Sequence, residues 1–277
     1  MSSRTATRAR WPWVVLAFVG AGVVAVLLLG TGFVSALPSL IGGGARLRNL
    51  DVPQPEAVTY KGPRTNIGFD VSFPQCDTAL PDTPGGFAIV GVHGGRPGKE
   101  QPCLEQQAWW ARQQSGYAVY INMEDDGTGD PVLAGQAIAE DAMERIQSVW
   151  LPKQTPVWLD IETDNSWRGS TERHRQLIQA TAIALAEAGH PVGVYSAPKL
   201  WLEITDGVDP GMPIWYAVGL GDRDMAAQAC QGKGFGGREP SIVQWIEQRP
   251  DGTLMDHDLL CDGVDPTGLL IPAGFKG

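Results

Sequence analysis

The sequence predicts a single α/β domain with a TIM-like barrel, preceded by one N-terminal transmembrane helix. From about residue 67 onward, short apolar segments alternate with helical patterns, which is typical of parallel βαβ units. Eight strand-like segments in one domain favour a closed barrel over an open doubly wound sheet, the main alternative. The transmembrane helix is predicted by a long uncharged apolar segment that follows three arginines near the N-terminus.

The overall charge of the chain excludes one class of partner. The composition is ordinary for a globular protein, with 43% hydrophobic and 19% charged residues. The net charge is −10, although Arg4, Arg8 and Arg10 make the first ten residues basic. Nucleic-acid-binding surfaces need basic stripes, so we predict no nucleic-acid partner.

The N-terminal region predicts export. Residues 1–10 are assigned to a basic cytoplasmic end and residues 11–41 to a signal anchor, because this apolar segment is long for a cleaved signal peptide. Arginines before the helix favour an N-terminus inside and the remaining chain outside. Residues 34–36 resemble a cleavage site, so secretion after cleavage is the alternative. Residues 42–66 have no sustained apolar period and are assigned to a linker, which leaves 67–277 for the barrel.

All four cysteines lie on the predicted exported side, where an even count indicates two disulfides. Three connectivities are possible. We favour Cys76–Cys103 with Cys230–Cys261, since each pair would link loops of consecutive strands; free buried thiols are the alternative. No C-x-x-C spacing suggests zinc, and we predict neither a metal nor another cofactor.

The predicted elements follow from apolar periodicity and end signals. The strands are expected at 67–72, 87–93, 117–123, 156–163, 191–196, 213–218, 241–246 and 254–260. The helices are expected at 104–114, 131–150 and 170–189, with shorter helical segments near 199–204 and 223–231.

The fourth predicted strand carries two carboxylates in an apolar setting. Asp160 and Glu162 are two residues apart, so their side chains point to the same face, about 6.6 Å apart along the strand. Like charges there are unfavourable unless they are paired or solvated, which favours a strand end at a polar cleft. A strand end whose acids enter water or meet arginines is the alternative reading.

Other predicted strands deliver polar side chains to the same rim. Asp70, Ser196 and Gln244 lie near the C-terminal ends of the first, fifth and seventh strands. In parallel α/β barrels the functional site lies at those ends. The convergence therefore predicts a site at this rim. A separate acidic stretch at 125–130 resembles a calcium loop but lacks the spaced closing Glu, so we interpret it as an acidic turn.

Six short motifs, in order along the chain, carry a family resemblance. They are GFDVS at 68–72, WLDIE at 158–162, GVYS at 193–196, PIWYA at 213–217, VQW at 243–245 and MDHD at 255–258. In this order they resemble family 25 glycoside hydrolases, barrel-fold lysozymes that cut bacterial cell-wall glycan. The resemblance covers about residues 67–263 and is greatest to an exported actinobacterial-type branch, often of unassigned function. It implies a barrel with five βα units followed by three strands, the (βα)5β3 type.

The resemblance also implies roles for individual residues. The acid pair corresponds to Glu162 as the general acid and Asp160 as its charge-stabilising neighbour. The further acids of the implied catalytic set correspond to Asp70 and Asp256. On the substrate side, the matching residues are Tyr195, Trp215 and Gln244. One position departs from the family pattern, because Asp258 stands where the family usually has Asn.

Trp167 is a further substrate-binding candidate, because a tryptophan near a barrel rim can stack on a sugar ring. Glycoside cleavage needs one protonated carboxylic acid and one carboxylate beside an oxocarbenium-like centre. The expected function is therefore hydrolysis of cell-wall polysaccharide by a membrane-anchored, extracytoplasmic monomer. A catalytically inactive barrel that binds glycan at the cell surface is the alternative.

Overall fold

The computed structural model describes residues 49–249 and 252–276, which form a closed α/β barrel. The strands are β1 Ile67–Val71, β2 Phe87–Gly91, β3 Gly116–Asn122, β4 Val157–Asp160, β5 Val192–Ser196, β6 Ile214–Leu220, β7 Ile242–Gln248, β8 Leu254–Leu260 and β9 Ile271–Pro272. The helices are α1 Leu104–Ala111, α2 Pro131–Ser148, α3 Thr171–Glu187, α4 Pro198–Thr205 and α5 Arg223–Cys230.

The first eight strands close the barrel. From β1 to β7, each strand pairs in parallel with the next one along the chain. Strand β8 lies between β7 and β1 and is antiparallel to both, while the short β9 adds to β3. The predicted closed barrel is confirmed, and each predicted strand and helix has a counterpart. In the described part of the chain the five α-helices follow β2 to β6, whereas the β1–β2 connection has only a 3-10 turn, Phe73–Gln75.

Large aromatic side chains fill the barrel interior, and glycines on adjacent strands make room for them. Trp158 and Phe87 belong to the buried interior cluster. A Cβ added at Gly193 would lie 2.3 Å from the Trp158 ring, and one at Gly68 would lie 2.5 Å from Phe87. Real Cβ contacts of that length do not occur, so these two positions need glycine for the interior to pack.

Residues 49–66 lie against the N-terminal ends of the strands. The backbone N–H of Leu50 donates to the Asp209 carbonyl at 3.0 Å, just before β6, and Leu50 is fully buried. The Tyr60 hydroxyl donates to the Ser115 carbonyl at 2.7 Å, just before β3. This part of the predicted linker therefore packs on the end of the barrel opposite to the C-terminal rim.

The membrane prediction concerns residues outside the described chain. Within 49–249 and 252–276, none of the helices combines the length and apolarity that a bilayer crossing requires. The predicted transmembrane segment at 11–41 lies wholly outside these ranges, as does the basic segment at 1–10. Both assignments, with the domain boundaries drawn from them, stay predictions.

Both favoured disulfides are confirmed. Cys76–Cys103 links the turn after β1 to the start of α1, and Cys230–Cys261 links the end of α5 to the end of β8. Each bridge constrains a chain segment around the barrel wall and reduces the conformational entropy of the unfolded state.

The disulfides predict a simple chemical result. Alkylation of the unfolded chain without a reductant is expected to add no mass, because all four cysteines are oxidised. Mass spectrometry after reduction and alkylation should show four adducts, one for each cysteine in the chain. Adducts formed before reduction would contradict the pairing.

Candidate active site

Carboxylates from three strands meet at one end of the barrel. Asp70 lies near the end of β1, Asp160 ends β4, and Glu162 follows two residues later. Asp256 and Asp258 reach the same rim from β8, because β8 runs antiparallel and its N-terminal half lies where the other strands end. The predicted convergence of Asp70, Asp160, Glu162 and Asp256 is therefore observed, with Asp258 added below them.

Burial and mutual repulsion raise the pKa values of these acids. Burial is the largest cause for all five. The pKa of Asp70 is raised further by the charges of Asp258, Asp256 and Asp160. Desolvation and like charge both disfavour the ionised form, so the cluster retains protons at a pH where exposed carboxylates are ionised.

Asp160 is held at the base of the site by an amide. The Nδ2 of Asn122 on β3 donates to Asp160 Oδ2 at 2.6 Å, and the two residues lie opposite each other in the sheet. Asp160 is only 6% exposed, and its Oδ1 has no hydrogen-bond partner within the described chain. Its pKa is raised by burial and then by the charge of Glu162. One oxygen is thus fixed by the protein, and the other is buried without a hydrogen-bond partner in the described chain.

Glu162 is the more accessible member of the pair. It is half-buried beyond the end of β4. Burial raises its pKa, and the polar interaction with the Tyr195 hydroxyl counteracts part of that shift. The indole N–H of Trp167 donates to the Glu162 carbonyl at 2.7 Å and holds this segment. A raised pKa with solvent access suits a proton donor to a substrate in the cleft.

A hydrogen-bonded chain connects Asp70 with Tyr195. Gln244 on β7 donates from Nε2 to Asp70 Oδ2 at 2.8 Å, and its Oε1 accepts from the Tyr195 hydroxyl at 2.8 Å. Gln244 is buried, so both of its polar ends are used inside the protein. These two hydrogen bonds fix the orientation of Tyr195 toward Glu162.

Trp215 is buried inside the barrel. It is 1% exposed, and its ring packs 4.5 Å from Tyr195 and 6.0 Å from Trp158 between centroids. Its Nε1 donates to Asp258 Oδ1 at 2.8 Å. The sugar contact of Trp215 stays a prediction: adjacent aromatic rings cover Trp215 in this structure, and its polar atom donates to Asp258.

The other substrate-side candidates lie at the rim or just inside it. Trp167 is half-buried and packs edge-on against His174, with 5.3 Å between ring centroids. Gln244 and Tyr195 contact the acids as described above. The sugar contacts of Trp167, Tyr195 and Gln244 stay predictions.

Two site residues on β3 were not predicted from the sequence. Asn122 fixes Asp160, and Tyr120 lies in the same cluster, where burial and the charges of Asp70 and Asp160 raise the pKa of its hydroxyl. The signal that could have found them is their spacing: Tyr120 and Asn122 are two residues apart at the end of a predicted strand, so they share the inward face.

The acidic stretch at 125–130 is a turn held by an arginine. The guanidinium of Arg173 on α3 donates to both carboxylate oxygens of buried Asp125 at 2.9 Å and to the Gly129 carbonyl at 2.7 Å. The guanidinium of Arg173 thus already occupies the carboxylate oxygens of Asp125. Across residues 49–249 and 252–276, no cluster of His, Cys, Asp and Glu is arranged to hold a metal ion.

Asp256 gives a pH-dependent stability prediction. Burial raises its pKa to about 6, whereas an unfolded-state Asp titrates near about 3.9. Folding therefore favours the protonated form, and the stability present below about pH 4 is lost as the pH rises through about 6. Asp256→Asn is expected to raise the free energy of unfolding at pH 7 by about 1–2 kcal/mol, and not at pH 4.

Urea unfolding at both pH values measures this difference. Asp82→Asn is the matched control, because it makes the same change at an exposed Asp. Equal stability of the Asp256→Asn variant and the wild type at pH 7 would contradict the raised pKa.

Comparisons with known proteins agree with this fold. A family model described as lysozyme-like protein 1 matches residues 106–236. A family 25 glycosyl hydrolase from Bacillus anthracis is similar in structure, with 15% identity and a TM-score of 0.52 over 76% of this chain and 95% of that chain. The spore cortex lytic enzyme SleM of Clostridium perfringens also has 15% identity and a TM-score of 0.52, over 76% of this chain and 71% of that chain.

A muramidase from Acremonium alcalophilum is 17% identical, with a TM-score of 0.50 over 70% of this chain and 92% of that chain. No curated protein sequence matches the chain. At these identities the structural similarities establish the barrel fold alone, and residues 106–236 are similar to the lysozyme-like family model. The chain therefore has a barrel of the same fold as these glycoside hydrolases.

Proposed function

We propose that this chain is an exported, membrane-anchored glycoside hydrolase that cleaves cell-wall glycan in the manner of a muramidase. The observation that carries the proposal is the pair at the end of β4: accessible Glu162 lies above Asp160, which is buried and fixed by Asn122. The surrounding acids and the low exposure of the site keep their pKa values raised.

The pair supplies both groups that glycoside cleavage needs. Glu162, protonated through its raised pKa, donates a proton to the leaving oxygen of the glycosidic bond. Asp160, on the same face as Glu162 and just below it, stabilises the oxocarbenium-like centre. Tyr195 orients Glu162, and Asn122 orients Asp160. The proposal requires the proton to be on Glu162 when the substrate binds, because Glu162 is the more exposed of the two acids.

The named relatives support the substrate class. The structures of similar fold include a muramidase, a spore cortex lytic enzyme and a family 25 glycosyl hydrolase. We infer that the rim of this barrel takes a peptidoglycan strand. Residues 49–66 lie at the opposite end of the barrel, so they leave this rim unobstructed.

The predicted helix at 11–41 supports anchoring in the membrane with the barrel on the outer side. The three arginines before that helix favour this orientation. If the segment at 34–36 is cleaved, the same domain is secreted.

A glycan-binding barrel without activity is the second candidate function. One observation favours it: Trp215 is occupied with buried Asp258, at the position where the resembled family usually has Asn. Such a barrel would retain the fold and the acids but would release no products.

One assay separates the two candidates. The full-length chain in detergent is incubated with insoluble peptidoglycan, and the soluble and insoluble fractions are scored for new reducing ends and for bound protein. The hydrolase proposal expects reducing ends that increase with time. Binding of the wild-type chain without new reducing ends would contradict it and support the binding barrel.

A further inference from the structure

A cleft lies on the outer wall of the barrel, away from the acids. Its volume is about 410 Å³, within the range of sites for small molecules. Three residues on the outer face of α1, one residue just after α1 and two just after α2 line it: Glu105, Gln106, Trp109, Arg112, Val149 and Trp150. Helices in βα units run antiparallel to the strands, so the end of α2 lies at the opposite end of the barrel from the acid rim.

Two exposed tryptophans dominate this cleft. Trp109 is 64% exposed and Trp150 is 84% exposed, whereas the tryptophans of the barrel interior are almost fully buried. Large aromatic side chains are the residues that contribute most to recognition when a ligand covers them. Nothing in the described chain covers these two rings.

Trp150 also has an unfavourable backbone conformation. Its φ is 59°, in the left-handed region, where an L-residue with a large side chain is strained. Trp150 lies in the turn that ends α2. The N–H of Trp150 donates to the Gln147 carbonyl at 3.0 Å, and the N–H of Leu151 donates to the Ile146 carbonyl at 3.2 Å. Glycine is the usual residue at this position.

The end of α3 provides an internal comparison. The same pair of hydrogen bonds ends α3, from Gly189 to Ala186 and from His190 to Leu185, both at 3.0 Å. There the left-handed position is a glycine with φ 100°. At the end of α2 the chain instead holds a tryptophan that gains almost no burial, so stability does not explain the residue. A strained, exposed aromatic beside a cleft points to a ligand.

We propose that the Trp109–Trp150 cleft is a second glycan-binding site that takes one or two sugar rings of a polysaccharide. A pyranose ring has an apolar C–H face, which fits an indole ring, and a hydroxyl edge. Glu105, Gln106 and Arg112 provide acceptors and donors for that edge. If a lipid tail or an apolar protein patch filled the cleft, its charged and amide groups would lose water without gaining hydrogen-bond partners, which is unfavourable.

This site would hold insoluble glycan without taking part in the chemistry. Its position on the outer wall separates it from Glu162 and Asp160, so it would change retention on a polymer and not the cleavage of a short soluble oligosaccharide. The identification of its polymer as cell-wall glycan rests on the proposed function. The assignment of the ligand as a polysaccharide rests on the residues that line the cleft.

The test measures binding of full-length Glu162→Gln protein, in detergent, to insoluble peptidoglycan. Trp109→Ala and Trp150→Gly in this background are each expected to weaken the apparent Kd by about tenfold, as loss of a stacked aromatic predicts. Trp150→Gly is also expected to raise Tm by about 2–4 °C, since it relieves the strained backbone. The matched control is Leu202→Ala, a truncation of an exposed apolar side chain on α4, 60% exposed, which should leave the Kd unchanged.

Unchanged glycan binding in both tryptophan variants would overturn the proposal. So would weaker binding of these variants to vesicles of anionic phospholipid, or loss of a dimer in sedimentation, with glycan binding intact; those results would assign the cleft to a membrane or to a second copy. Since binding is measured without cleavage, a wild-type chain that releases no reducing ends would refute the hydrolase and not this site.

Discussion

The Glu162→Gln variant is expected to cleave peptidoglycan with a kcat about 10²–10⁴-fold below that of the wild type, since general-acid catalysis contributes that much. Glutamine keeps the size and the hydrogen bond of Tyr195 but cannot donate a carboxyl proton. The raised pKa of Glu162 also predicts the pH profile: wild-type activity should fall as the pH rises through that pKa, because the acid form is lost. The rate of formation of reducing ends, measured across pH, tests both points.

Two comparisons make this result specific to Glu162. Glu187→Gln, an exposed Glu at the end of α3, should retain full activity. The far-ultraviolet circular dichroism and Tm of the Glu162→Gln variant should match those of a folded chain. Equal activity of the Glu162→Gln variant and the wild type would refute the assignment of the acid while leaving the barrel site in place.

The second large effect concerns Asp258, which is 0% exposed and accepts from Trp215. Its pKa is raised by burial, and its charge in turn raises the pKa of Asp70. Asp258→Asn keeps the acceptor for Trp215 and removes a buried charge. We expect the free energy of unfolding at pH 7 to rise by about 1–3 kcal/mol. The gain should disappear at acidic pH, where a carboxyl with a raised pKa is already neutral in the folded state.

Urea unfolding at pH 4 and pH 7 gives the measurement. Asp258→Ala is the contrasting variant: it leaves the Trp215 N–H without an acceptor and should destabilise the fold at both pH values. A loss of stability at pH 7 in Asp258→Asn would contradict the account, because it would mean that the ionised carboxylate is a required partner in the interior.

Periodicity was sufficient to predict most of the barrel. Apolar segments of strand length alternating with helical segments predict the eight strands that close the barrel but not the short β9, and the C-terminal-end rule brings Asp70, Asp160 and Glu162 together. Local patterns do not specify the partner or the direction of a strand. The antiparallel placement of β8 therefore could not be predicted from the apolar pattern, and only the family resemblance included Asp256 in the acid set.

The depth at which a side chain lies within the barrel was the second property that the sequence did not predict. Alternation correctly places Trp215 on the inward face, but it does not distinguish a ring at the mouth from one covered by Tyr195 and Trp158. The role of Asn122 could not be predicted either, because its contact with Asp160 depends on the register between β3 and β4. Side chains that act through neighbours on other strands need the sheet pairing before their role is visible.

The reducing end of the product tests the central claim most directly. Peptidoglycan treated with the full-length wild-type chain is reduced with borohydride, hydrolysed in acid and analysed for amino-sugar alcohols by mass spectrometry. Cleavage of the muramidase type predicts muramitol from the new reducing ends, absent from the Glu162→Gln digest. Glucosaminitol in place of muramitol, or the same muramitol yield from both proteins, would contradict the claim that Glu162 at this rim drives a muramidase reaction.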